Sequence, residues 1–132
     1  MSSLSVEIVT PYGLKFTGEA QSCTAPSPDG IFQILPGHAP LLSLLDVGEI
    51  KLLIENRIRY MATSGGFLEV KANHVTIMAE TAEWAEDILI DRAQEAEKRA
   101  RERLAHDEGI DAARAQLALA RALNRIRVAS HI

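Results

Sequence analysis

The sequence predicts an α+β chain in which a β-sandwich or barrel is followed by an antiparallel two-helix hairpin. Three observations predict it. Every aromatic residue (Tyr12, Phe16, Phe32, Tyr60, Phe67 and Trp84) and every proline (Pro11, Pro26, Pro28, Pro36 and Pro40) lies in the first 84 positions. Seven of the eight glycines precede residue 67, whereas alanine supplies twelve of the residues from Ala85 to Ile132. Beyond Asp87 the spacing of apolar residues lengthens to three and four, the helical period.

The early elements read as strands. Ser5 to Val9, Ile31 to Leu35, Ile50 to Ile54, Ile58 to Ala62 and His74 to Met78 are short runs rich in branched residues, spaced by turn formers. Glu55-Asn56-Arg57 reads as a compact hairpin connection, and Gly65-Gly66 and Ala72-Asn73 mark two further breaks. Val75, Ile77 and Ala79 alternate with Thr76, Met78 and Glu80, so one face of that strand is buried and the other is partly wet.

The late elements read as helices. Leu89, Ala93, Ala96, Ala100 and Leu104 form one stripe, and Ala112, Ala115, Leu119, Ala122, Ile126 and Ala129 form another. His106 to Asp111, with Gly109 inside it, is the break, and Asp111 suits the start of the second helix. Most of the seam is alanine, which favours helix and close approach but buries little apolar area. Such a hairpin either detaches at a cost of a few kcal/mol or stays docked as a permanent pair.

Length and composition exclude several classes. With 132 residues, 47% apolar and 24% charged, the chain is neither a large multidomain enzyme nor disordered. No run approaches the ~20 apolar residues of a membrane span, and Met1 to Ser5 has neither the basic start nor the apolar core of an export signal. A cytosolic location is expected. Cys23 is the only cysteine, which suits a buried, inert thiol. His38, His74, His106 and His131 are scattered, so no metal is expected. No nucleophile elbow, phosphate-binding loop or dinucleotide fingerprint is present, which leaves a binding or coupling protein without catalytic residues.

Charge divides as the elements do. Residues 1–85 hold five Lys or Arg against nine Asp or Glu, and residues 86–132 hold nine against nine. From Ala112 to Ile132 there are Arg114, Arg121, Arg125 and Arg127 and no acid. This cationic rod suits a solvated helix C-terminus, an acidic protein surface or an anion. A hairpin pivoting near residue 108 sets Arg92 level with Asn124 and Arg125, and Arg99 just short of Arg121. Four guanidiniums so placed suit a polyphosphate, while Glu95 with Arg99 and Glu97 with Arg101 form ordinary i, i+4 pairs. Nucleic acid is a poor partner, because the chain is acidic and no basic patch is interleaved with aromatics.

Three stretches in register carry a resemblance: Pro36-Gly37-His38-Ala39-Pro40-Leu41-Leu42, Ser64-Gly65-Gly66-Phe67-Leu68-Glu69-Val70, and Arg121-Ala122-Leu123-Asn124-Arg125-Ile126-Arg127-Val128. With these the chain resembles the epsilon subunit family of the bacterial-type (F-type) rotary ATP synthase over essentially its whole length. The resemblance implies a sandwich of about ten strands over residues 1–85 and a regulatory helical hairpin over 86–132. It further implies a non-catalytic central-stalk subunit that couples proton or ion translocation to ATP synthesis. In that role it binds the gamma subunit and the c-ring, held peripherally at the cytoplasmic face of the bacterial membrane. Extended helices then hinder ATP hydrolysis by the alpha and beta subunits, with Arg121, Arg125 and Arg127 as the inhibitory contacts.

The loop from Asp29 to Leu42 matches the family's c-ring-facing region, making Asp29 and His38 the contact candidates. Relatives usually carry Glu-Gly-Glu-x-Gly-Ile where this chain has Asp29-Gly30-Ile31-Phe32-Gln33-Ile34. By the same resemblance, Glu83, Ile88, Arg92, Ala93, Arg99, Arg121 and Arg125 match nucleotide-contacting positions. Leu89 stands where the family's motif has aspartate, so no cofactor is expected and ATP is at most a weak regulatory ligand. The competing reading of the same residues is an independent nucleotide-sensing module.

Overall fold

In a computed structural model, which describes residues 3–106 and 110–131, the chain forms two compact units, Met1–Trp84 and Ala85–Ile132. The first contains β1 (Leu4–Thr10), β2 (Gly13–Ala20), β3 (Ser22–Ser27), β4 (Gly30–Ile34), β5 (Leu41–Leu45), β6 (Gly48–Ile54), β7 (Arg57–Thr63), β8 (Gly66–Lys71), β9 (His74–Ala79) and β10 (Ala82–Trp84). They make two five-stranded sheets, ordered β2-β1-β9-β8-β5 and β10-β7-β6-β3-β4. Every pairing is antiparallel except β1 with β9, which joins the two ends of the unit in parallel.

Alternation decides which residues enter the core. Leu4, Val6 and Ile8 of β1, Leu68 and Val70 of β8, and Val75, Ile77 and Ala79 of β9 point inward from the first sheet. Cys23, Ala25, Ile34, Ile50, Leu52 and Met61 meet them from the second. This core lies wholly within the sandwich, so the unit has what it needs to fold without the helices. Burial pushes the Cys23 thiol up to about 12, which leaves it protonated and inert at neutral pH.

Turn chemistry sets the registers. Glu55 and Asn56 (φ 50° and 65°) join β6 to β7, and Ala72 and Asn73 (φ 49° and 64°) join β8 to β9. Both are two-residue loops with two left-handed residues, the twist a tight hairpin requires. Asn73 has a second task. Its side-chain oxygen accepts from Gly37 N at 2.7 Å and its carbonyl from Ser5 N at 2.8 Å, pinning the turn after β4 and the start of β1 to one hairpin. On the β2 and β10 side, Phe16 and Trp84 meet edge to face at 5.5 Å, and the Arg59 guanidinium lies 3.7 Å over the Trp84 ring.

The second unit opens with a 3-10 turn, Ala85–Asp87, followed by α1 (Ile90–His106) and α2 (Ile110–Ala129), which pack into a hairpin. Asp111 falls in the first turn of α2, where a carboxylate complements the helix dipole. The break expected at His106 to Asp111 includes Gly109, and residues 107–109 lie outside the described residues. Ala93, Ala100, Ala115, Ala122 and Ala129 are buried, and Ala96, Leu104, Ala112, Leu119 and Ile126 are half-buried. Leu89 departs from the expected stripe. It precedes α1 and is 57% exposed, because the helical period starts one residue later than the apolar spacing suggested.

Candidate docking faces and the helical cluster

Asp29 and His38 sit at opposite ends of β4. Asp29 is exposed in the β3–β4 turn, where Ser27 Oγ accepts from Asp29 N at 3.2 Å and donates to Gly30 O at 2.7 Å. His38 is half-buried beyond the far end, with its backbone N bonded to Leu35 O at 3.1 Å. Its Nδ1 donates to Ala39 O at 2.6 Å; a carbonyl can only accept, so the proton is on Nδ1 and Nε2 is the ring atom left to a partner. The five residues of β4 span about 17 Å, so the two candidates are separate ends of one sheet edge. Between them Ile31, Gln33 and Leu35 are exposed.

The nucleotide candidates fall in both units. Glu83 lies on β10, half-buried, whereas Ile88, Arg92, Ala93, Arg99, Arg121 and Arg125 belong to the helical unit. Ile88 and Ala93 are buried, while Arg92 is exposed on the first turn of α1. Arg99 Nη1 stands 4.0 Å from Glu95 and Arg101 Nε 2.9 Å from Glu97, the two i, i+4 pairs expected. Arg99 is exposed, and such a pair contributes about 1 kcal/mol or less, so it yields readily to a stronger anion. Arg121 and Arg127 are exposed along α2 and Arg125 is half-buried.

Leu89 has a role that its alignment with an aspartate did not reveal. Its carbonyl accepts from Ala93 N at 3.1 Å, the first bond of α1, so Leu89 is the N-cap. Leucine offers no side-chain acceptor to the free N–H groups above it. Leu89→Asp is expected to stabilise the helical unit by about 1 kcal/mol through capping alone, read as a rise in its melting temperature. A loss of stability would remove the capping assignment.

A further face went unread in the sequence. Leu14 pairs with Val9, Val9 with Met78, Met78 with Phe67 and Phe67 with Leu44, so one apolar row crosses all five strands of the β2-β1-β9-β8-β5 sheet on its outer side. Leu14, Met78, Phe67 and Leu44 are 57%, 45%, 49% and 54% exposed. Four inter-strand steps make the row about 19 Å long. A contiguous exposed apolar stripe on a sheet whose other side is already core marks an interaction surface. The signal was apolar residues at both parities, as in Leu41-Leu42-Ser43-Leu44-Leu45, which belongs to strands covered on two sides.

Comparisons with known proteins fit these units. Residues 3–85 match the family model of the ATP synthase delta/epsilon chain β-sandwich domain, and residues 86–130 that of its long α-helix domain. The chain is 48% identical over 127 residues to an ATP synthase epsilon chain of Nitratidesulfovibrio vulgaris strain DP4, covering 96% of this chain and 95% of that one. It is 44% identical over 127 residues to that of Desulfitobacterium hafniense strain Y51, covering 96% of each. Among solved structures, a chain from the Euglena gracilis mitochondrial ATP synthase superposes with a TM-score of 0.86 at 18% identity, covering 100% of this chain and 83% of that one. That likeness is one of fold.

Proposed function

This chain belongs to the epsilon-chain family of ATP synthase, and on that premise we propose that it is a non-catalytic rotor subunit that docks by its sandwich and regulates by its hairpin. The observation that carries the docking half is the apolar row Leu14, Val9, Met78, Phe67 and Leu44. We assign it to the gamma subunit, and the β4 edge from Asp29 to His38 to the c-ring. Torque passes through a body only if that body is stiff. Two sheets closed over one packed core meet that need, since close-packed interiors transmit strain.

The hairpin has the opposite character. Its seam is largely alanine and buries few large side chains, so its two arrangements differ by a few kcal/mol, within reach of a ligand or partner. In the extended arrangement Arg121, Arg125 and Arg127 face acidic regions of the beta subunits and slow hydrolysis. In the folded one Arg92, Arg99, Arg121 and Arg125 of the helical unit hold ATP weakly, because Leu89 lacks the acceptor of the family's motif. The protein stays at the cytoplasmic face through its partners; among the described residues no helix is long and apolar enough to cross a membrane.

Deleting residues 87–132 tests both halves. The remaining sandwich keeps its whole core and is expected to bind gamma with unchanged affinity, while ATP hydrolysis by the reconstituted complex rises. Loss of gamma binding on truncation would defeat the docking half, and unchanged hydrolysis the regulatory half. Under the sensor alternative, truncation abolishes nucleotide binding and leaves the synthase unaffected.

A further inference from the structure

The outer face of the β2-β1-β9-β8-β5 sheet carries a second row beside the apolar one. Thr17 pairs with Glu7, Glu7 with Thr76, Thr76 with Glu69 and Glu69 with Leu42. One row is therefore wholly apolar, and the next, about 7 Å away and two residues along β1, β9, β8 and β5 but three along β2 because of a bulge, holds two carboxylates. Glu7 and Glu69 are two strands apart, about 10 Å. Both are exposed, and among the described residues neither forms an ion pair, although Lys71 lies two positions from Glu69 on the same face.

From this juxtaposition we infer that the partner seated on the apolar row carries two Lys or Arg side chains about 10 Å apart along one flank of its apolar ridge, with Glu7 and Glu69 as their acceptors. The inference rests on the reading of this face as the docking surface and names the chemistry that the face selects. Carboxylates beside an apolar strip become more costly to leave unpaired as a partner excludes water from them, so an apolar partner without cations is discriminated against. Charges at such a border act chiefly on encounter and orientation, and their attraction is screened by salt. A second copy of this chain is a poor occupant, because the two lysines it brings on these strands, Lys15 on β2 and Lys71 on β8, stand three strands and about 14 Å or more apart, too far to meet both carboxylates.

The test is binding of the full chain to the isolated gamma subunit across a series of NaCl concentrations. Wild-type affinity is expected to fall as salt rises. Glu7→Gln with Glu69→Gln, isosteric changes at exposed positions, is expected to lower affinity about tenfold at low salt, mostly through the association rate, and to flatten the salt dependence. Equal affinity and equal salt dependence in the double variant would overturn the inference. Phe67→Asp separates this from the underlying reading: if it abolishes binding while the glutamine variant binds normally, the face is right and the basic partner wrong. If Phe67→Asp also binds normally, the docking face itself is wrong. Sedimentation of wild type as a dimer that Phe67→Asp dissolves would assign the face to a second copy and overturn the inference too.

Discussion

Replacing Gly66 by alanine is expected to lower the stability of the sandwich by about 3–5 kcal/mol, enough to unfold a large fraction of a domain of this size. Gly66 opens β8 between β5 and β9, paired with Leu45 on one side and Ala79 on the other. A Cβ there would stand 2.1 Å from Met78 O, 2.9 Å from Ala79 Cα and 3.0 Å from Met78 C. All three atoms are backbone of the neighbouring strand, so no side chain can swing aside, and relief requires β8 and β9 to part. Its φ of 141° adds a conformational cost that any L-residue shares. Gly30 separates the two terms. It has φ 131° and nothing within 4 Å of where a Cβ would stand, so Gly30→Ala carries only the conformational part, about 1–2 kcal/mol. Urea unfolding of the two variants reads the difference from the midpoints at constant m. Equal losses would show that the close approach relaxes freely.

Strands whose own composition resembles a strand were legible in the sequence. β1, β4, β6, β7 and β9 carry branched residues in alternation and were found close to their observed bounds. β3 was not, because Ser22-Cys23-Thr24-Ala25-Pro26-Ser27 has small or polar side chains throughout; it is extended because β4 and β6 flank it and bury Cys23 and Ala25. β2 hides for a different reason, since Gly13, Lys15 and Gly18 dilute an edge strand that packs Phe16 against Trp84 and buries Ala20 at its end. The count of ten came from family resemblance. The helices were legible to within a few residues, because each stripe needs only local spacing; Leu89 extended that spacing past the cap, and His106, Ile110 and Asp111, expected in the break, are helical.

The sites were less legible than the fold. Asp29 and His38 are nine positions apart and are paired as contacts only by the family resemblance; the strand that the sequence itself predicts at Ile31 to Leu35 lies between them and sends them to opposite ends of an edge. The apolar row is harder still. Its members come from five strands, and its continuity depends on the parallel pairing of Val9 with Met78, which no local pattern encodes. Composition could say that β5 and β8 have too many apolar residues for one buried face, but only register places Phe67 beside both Leu44 and Met78.

Phe67→Asp is therefore expected to weaken binding to the gamma subunit by at least about a hundredfold, a loss of roughly 3 kcal/mol. Phe67 occupies an inner position of the row with about half its surface open to solvent. Covering the open half removes about 100 Å² of apolar surface from water, worth about 2.5 kcal/mol. Aspartate forfeits that contribution and adds a carboxylate that the partner must desolvate, on a face already bearing Glu69 two residues away. The folded chain itself loses little, because the ring points away from the core and its inward neighbours Leu68 and Val70 are untouched. Melting temperature should stay within a few degrees of the wild type, so reduced binding reports the face and not the fold. Leu117→Asp on α2, at 44% exposure, provides the matched control: an equally exposed apolar residue changed to the same charge in the helical unit. Gamma binding should survive it, since exposed apolar area alone does not make a docking surface. If both variants bind as the wild type does, the row is an uncovered face and the β4 edge must carry the attachment to the stalk.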